Sequence, residues 1–133
     1  MIYALDTNII SYMLRGDKEI NRRWRREESI GNTSVIPLIV YYEVKRGLQI
    51  VEAKTKLEAF LHLCGDLTVE DLTTTDIDTA IRIYAERRKQ GNLIEDADLL
   101  IAAQCITNDY TLVTNNTRHF ECIDGLKYIN WVK

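Results

Sequence analysis

The chain has 133 residues, 46% of them hydrophobic and 28% charged, with a formal net charge of -3. That length suits one domain with its own core, and the composition is that of a soluble globular protein rather than a disordered or membrane-spanning one. The acidic balance excludes nucleic-acid binding by bulk charge, but leaves room for an enzyme whose acids gather in one metal-binding pocket.

The residues Ile2-Tyr3-Ala4-Leu5-Asp6 read as a buried strand ending in a carboxylate, and Thr7 to Leu14 as a short helix. A second helix is expected from Asp17 to Glu28, with Gly16 and Gly31 as its punctuation, and a second strand from Thr33 to Ile36. The single proline, Pro37, stands where the next helix begins. Leu38, Ile39, Tyr42, Val44 and Leu48 carry the mixed spacing of a largely buried helix. Val51 to Cys64 follows as an amphipathic helix with Leu57, Phe60, Leu61 and Cys64 on its apolar side. Leu67 to Leu72 reads as a strand, and Asp76 caps or opens a helix reaching about Gln90, with Ile77, Ala80, Ile81, Tyr84 and Ala85 inward. Asp96 to Thr107 is apolar nearly all round, which implies central burial; Thr111 to Thr114 and Lys127 to Ile129 are the last strands. Strands separated by helices call for a parallel sheet covered on both faces, hence an α/β fold of four or five short strands in a single domain spanning 1–133.

Cys64, Cys105 and Cys122 are odd in number and form no CxxC pair, so neither a disulfide framework nor a zinc site is indicated. His62 and Cys64 lack a second pair of ligands and read as packing. The start of the chain lacks a basic segment followed by a signal-type apolar stretch, and a cytoplasmic location is expected.

Most acids fall on polar helix faces, but four do not fit that account. Asp6 closes an apolar strand, where it serves either as a helix N-cap or at a binding site on the strand-end edge of the sheet. Glu43 sits among Ile39, Val40, Tyr42 and Val44, and its neighbours Lys45 and Arg46 point elsewhere on a helix. Asp98 stands in the first turn of an apolar helix. An unpaired buried carboxylate there costs several kcal/mol, against only about 0.3–1 kcal/mol from the helix dipole. Asp96 lies about 200° around the helix from Asp98 and reads as its N-cap, or as an outer metal ligand through water. Carboxylates converging without His or Cys are the donor set of Mg²⁺, the chemistry of metal-dependent nucleases. No phosphate loop and no nucleophile elbow offers an alternative.

Four segments, in this order, resemble the PIN-domain ribonucleases and within them the VapC toxins of bacterial toxin-antitoxin modules. They are Leu5-Asp6-Thr7-Asn8, Tyr41-Tyr42-Glu43-Val44-Lys45-Arg46-Gly47, Asp98-Leu99-Leu100-Ile101-Ala102-Ala103, and Leu112-Val113-Thr114-Asn115-Asn116-Thr117-Arg118-His119-Phe120. The resemblance spans essentially the whole chain. It implies Asp6, Glu43 and Asp98 around Mg²⁺ or Mn²⁺, and cleavage of RNA, commonly tRNA, by metal-activated water. It also implies a homodimer and a VapB-type antitoxin partner. Many PIN domains carry a fourth acid where this chain has Asn116, which ligates or orients water without adding charge. One well-held ion, with another arriving alongside the substrate, is the preferred reading. Thr7, Asn8 and Thr114 either orient Asp6 and the metal waters or cap strand-to-helix turns, with Thr114 and Asn116 favoured over Thr7 for function.

Arg15, Lys45, Arg46 and Arg118 lie near the acidic motifs in sequence and are expected to guide the RNA backbone. The cluster Arg22-Arg23-Trp24-Arg25-Arg26 reads equally as a solvated surface or an RNA-stacking face, and Trp24, Tyr12 and Met13 are candidate interface residues. Two other functions compete: a DNA-directed or structure-specific nuclease of the same fold, and a non-cleaving partner of a DNA-binding repressor.

Overall fold

The structure is a computed structural model, and it describes residues 1–132. Five parallel strands form one sheet: β1 (Ile2–Leu5), β2 (Thr33–Pro37), β3 (Thr68–Glu70), β4 (Thr111–Val113) and β5 (Lys127–Ile129), in the order β3-β2-β1-β4-β5. Between them run α1 (Thr7–Leu14), α2 (Lys18–Ser29), α3 (Leu38–Ile50), α4 (Lys54–Asp66), α5 (Thr74–Lys89), α6 (Asp96–Asn108) and the short α7 (Thr117–Phe120).

The strand order reverses direction beside β1. The chain steps from β1 to β2 and β3, then crosses back to β4 and β5 on the other side. Right-handed crossovers therefore place α1 to α4 on one face of the sheet and α5 to α7 on the other. The crevice between the carboxyl ends of β1 and β4 is the switch point of the sheet, where α/β folds bind ligands. Both strands run into buried residues there. Leu5 pairs with Val113, and the Asp6 amide extends the ladder by donating to the Val113 carbonyl at 3.0 Å.

The core is built from Leu5, Ile9, Ile10, Ile36, Phe60, Ile101, Leu112 and Phe120, all buried. As expected, α6 lies at its centre, with Leu99, Ile101, Ala102, Ala103 and Cys105 buried. Gln104 joins them. Its amide nitrogen donates to the Glu70 and Asp71 carbonyls and ties the end of β3 to the helix.

Several sequence expectations are corrected by packing. α3 buries only Val40 and Val44 fully, and Tyr42 is 55% exposed, because α1 and α4 cover one side of α3 alone. α3 runs on to Ile50, and a turn with Glu52 at φ 53° separates it from α4, so no helix starts at Val51. On α5 the buried line is Asp76, Ala80, Ile83 and Arg87, while Ile81 and Tyr84 face outward. The buried carboxylate of Asp76 explains that rotation: it closes a capping box with Thr73 and accepts from Asn108 of α6 at 3.0 Å. α7 carries no periodic signal in its four residues and was not expected. Met13 is a core residue and Trp24 packs against the core, so neither is an exposed interface residue. Arg23 of the basic cluster pairs with Glu27 at 3.2 Å and lies over the Trp131 ring.

Candidate active site

Asp6 follows β1 as the N-cap of α1 and is only 4% exposed. The capping and binding roles therefore coexist. One oxygen accepts from the Thr7 amide at 2.8 Å; the other accepts from the Thr114 hydroxyl at 2.8 Å and the Asn8 amide nitrogen at 3.2 Å. Burial pushes the Asp6 carboxyl above its ordinary pKa. Its bonds from Thr114, Thr7 and Asn8 pull the other way, and the charge of Asp98 adds to the rise.

Thr114 is fully buried at the end of β4 and acts as the hub. Its hydroxyl donates to Asp6 and accepts from the Asn116 backbone amide at 3.0 Å, with the Asn8 side-chain nitrogen at 3.4 Å. Asn8 also accepts from the Asn115 amide at 2.8 Å, which ties α1 to the segment after β4. Thr7 does more than its sequence position suggested: its hydroxyl donates to Glu43 Oε1 at 2.9 Å and links α1 to α3. Asn116 contributes its backbone. Its side chain is exposed and makes no cap bond to α7.

Asp98 enters from the first turn of α6, with its side chain 20% exposed. Burial raises its pKa, the His119 partner lowers it, and the charges of Glu95 and Glu43 raise it again. His119 Nδ1 lies 2.9 Å from Asp98 Oδ2. The sequence places His119 in the fourth motif without a role, because a residue on a four-residue helix, 21 positions away, shows no pairing with Asp98 in the sequence. The N-cap of α6 is Glu95, which makes no side-chain cap bond; Asp96 is the first helical residue and is exposed. Asp96 is therefore not the cap, and it makes no bond to Asp6, Glu43 or Asp98 among the described residues.

The charge of Asp98 thus acts on Asp6 and that of Glu43 on Asp98, with no Lys or Arg paired to any of the three among the described residues. Such repulsion is what a cation relieves. Among the described residues no group of three or more Asp, Glu, His or Cys side chains forms a ready metal site. Mg²⁺ does not need one, since it keeps waters and substrate phosphates among its ligands. The oxygen-only donor set fits a hard divalent ion.

Two clefts open on this cluster. One, of about 540 Å³, is lined by Thr7, Asn8, Tyr12, Arg15, Glu43 and Lys56, with Arg15 stacked 4.6 Å from the Tyr12 ring centroid. Lys56 was missed because it belongs to α4, far from the motifs in sequence. The other, of about 230 Å³, holds Asp98, Glu95, Arg87, Asn92, Arg118 and His119. Lys45 and Arg46 line neither: they lie with Leu38, Ile39 and Tyr42 elsewhere on α3, bonded to the Tyr41 and Tyr42 hydroxyls. Helical geometry turns them away from Glu43, which removes them as guides to the acidic site.

Comparison with known proteins bears on the whole of this arrangement. The PIN domain family model matches residues 3–126. Ribonuclease VapC2 of Rickettsia felis is 32% identical over the full length of both chains. Ribonuclease VapC2 of Haemophilus influenzae is 34% identical over 98% of each. Among solved structures, VapBC2 from Rickettsia felis bound to a DNA fragment from its promoter superposes with a TM-score of 0.88 at 29% identity, covering 99% of this chain and 100% of that one. DNA-bound VapBC from Salmonella typhimurium gives 0.89 at 25% identity, covering 99% of each.

Proposed function

The chain belongs to the PIN domain family, among its VapC ribonucleases, and from that membership and the site we propose a divalent-metal-dependent endoribonuclease toxin restrained by a VapB-type antitoxin. The observation that carries this reading is the placement of Asp6, Glu43 and Asp98 about the switch point of the sheet, each desolvated or placed by bonds yet none paired with Lys or Arg among the described residues. Asp6, Glu43 and Asp98 are the residues that would hold Mg²⁺ or Mn²⁺. When bound, such an ion lowers the pKa of a coordinated water and offsets charge developing on a phosphate.

The chain's own residues do the positioning. Thr114 and Asn8 fix the Asp6 carboxylate, and Thr7 fixes Glu43. These bonds set ligand geometry before any substrate arrives. Arg15 and Lys56 put positive charge beside the acidic cluster, where an RNA backbone would otherwise be repelled. Asn116 supplies no fourth acid, which favours one firmly held ion, a second accompanying the substrate.

Transfer RNA is the substrate class we put first, and a cytoplasmic site of action is part of the same proposal. No helix among the described residues is long and apolar enough to cross a membrane. VapB-containing complexes among the solved relatives support the antitoxin partner. A homodimer is proposed through the exposed apolar side chains of α3, Tyr42 and Ile50 among them.

The test is cleavage of tRNA, mRNA and single-stranded DNA by the purified chain, with Mg²⁺ or with chelator. RNA cleavage that needs the ion, and is lost in Asp6→Asn, Glu43→Gln and Asp98→Asn with the fold kept, is the expected result. Cleavage of DNA alone would favour a DNA-directed nuclease. No turnover with any substrate or ion would leave a non-cleaving partner of a DNA-binding repressor.

A further inference from the structure

Arg87 is an anomaly that the acidic site does not explain. It is 7% exposed, yet it has no carboxylate partner among the described residues. Its Nε donates to the Asn92 carbonyl at 3.0 Å, and its Nη1 to the Cys122 carbonyl and to Gln90 Oε1, both at 3.1 Å. Those bonds use Nε and Nη1 and pin two loops. Nη2 makes no hydrogen bond among the described residues and is not among the fully buried unpartnered atoms, and Arg87 lines a cleft beside it. A buried cation is normally paired, and its remaining donors suit an anion from outside.

The same cleft supplies the rest of an anion site. Arg118 from α7 lines it and makes no hydrogen bond or ion pair among the described residues. Asn92 and His119 add polar groups. Two carboxylates, Glu95 and Asp98, stand on its acidic side, and Asp98 is already engaged by His119. The cleft therefore runs from a catalytic carboxylate to two arginines with free donors. It shares no residue with the cleft of Arg15 and Lys56, which opens on Glu43 instead.

We propose that the cleft of Arg87 and Arg118 is a second phosphate subsite, which seats the RNA backbone beside Asp98 while Arg15 and Lys56 hold it beside Glu43. This rests on the ribonuclease reading above. A single strand held in both clefts passes over the acidic cluster, so the bond that is cut lies between two anchored phosphates. Arg87 is the preset donor, fixed by its loop bonds, and Arg118 is the exposed one without a partner among the described residues.

The test measures binding apart from cleavage. In the full chain carrying Asp6→Asn, a fluorescent single-stranded RNA is titrated at several salt concentrations, with and without Arg118→Gln. Loss of one phosphate contact should reduce the slope of log K against log salt by about 0.7, and affinity about five-fold near 0.1 M salt. Cys122 is exposed and lines the same cleft, while Cys105 is buried and its thiol pKa is pushed well up. Bound RNA should therefore slow alkylation of Cys122 by N-ethylmaleimide. Arg87→Lys should weaken binding as well, but it also loosens two loops; exposed Arg118 decides the matter without that risk. An unchanged salt slope in Arg118→Gln, or a Cys122 that RNA does not protect, overturns the subsite even if the native chain cuts RNA. If the native chain neither cuts nor binds RNA, the ribonuclease reading falls and the subsite with it.

Discussion

Replacing Thr114 by Val removes one hydroxyl from a fully buried position and leaves the shape of the side chain nearly unchanged. The hydroxyl donates to the Asp6 carboxyl at 2.8 Å, and when that group is ionised such a bond contributes about 1.5–3 kcal/mol. It also accepts from the Asn116 amide, but Asn116 is exposed and water can take that donor. We therefore expect a loss of about 2–3 kcal/mol at pH 7. With about 2.1 cal/mol/K of unfolding entropy per residue over 133 residues, that is a fall in Tm of about 7–11 °C. The effect should depend on pH in one direction. Burial raises the Asp6 pKa, and the Thr114 bond opposes that rise, so the variant raises it further. A carboxyl whose folded pKa is raised destabilises the fold when ionised and ceases to do so as pH falls through that pKa. The gap between native chain and variant is thus widest at neutral pH and narrows in acid. Thr114→Ser keeps the hydroxyl and loses one buried methyl, about 1 kcal/mol. Urea or thermal melts at pH 7 and below pH 5, on the native chain and both variants, measure all of this. A Thr114→Val protein within about 2 °C of the native Tm, the effect of a neutral substitution, would refute the role of the hydroxyl. So would a Ser variant as unstable as the Val one.

Thr7→Val should reduce RNA cleavage about 10–100-fold while costing only about 1 kcal/mol, because it frees Glu43 from its 2.9 Å bond; Thr7→Ser should restore the rate. Arg15→Ala and Lys56→Ala should each weaken RNA binding and lower its salt slope by about 0.7, whereas Lys45→Ala and Arg46→Ala should change neither, since they line a different part of α3. Anisotropy titrations in increasing salt separate the two pairs. Asp76→Ala should destabilise by about 2–3 kcal/mol through loss of the capping box and the Asn108 bond, with cleavage per folded molecule unchanged; chemical denaturation beside an activity assay reads both.

The sequence alone determined what local rules govern. Alternation of apolar strands with helices gave the parallel α/β sheet, and the misfit of Asp6, Glu43 and Asp98 with any solvated face marked three positions of the candidate site. These features are legible because burial of a charge is costly wherever the chain goes, so a carboxylate inside an apolar run stands out without knowledge of its neighbours. Packing decided the rest. Which side of α3 and α5 is covered depends on α1, α4 and α6, and so Tyr42, Ile81 and Tyr84 face outward despite an apolar spacing. The same cause turned Lys45 and Arg46 away from Glu43 and brought Lys56 towards it. Only the tertiary structure joined Thr7 to Glu43 across 36 positions, Thr114 to Asp6 across 108, and His119 to Asp98 across 21. Hydrogen bonds between side chains so far apart leave no periodic trace in a sequence, since each depends on the path of the chain between them.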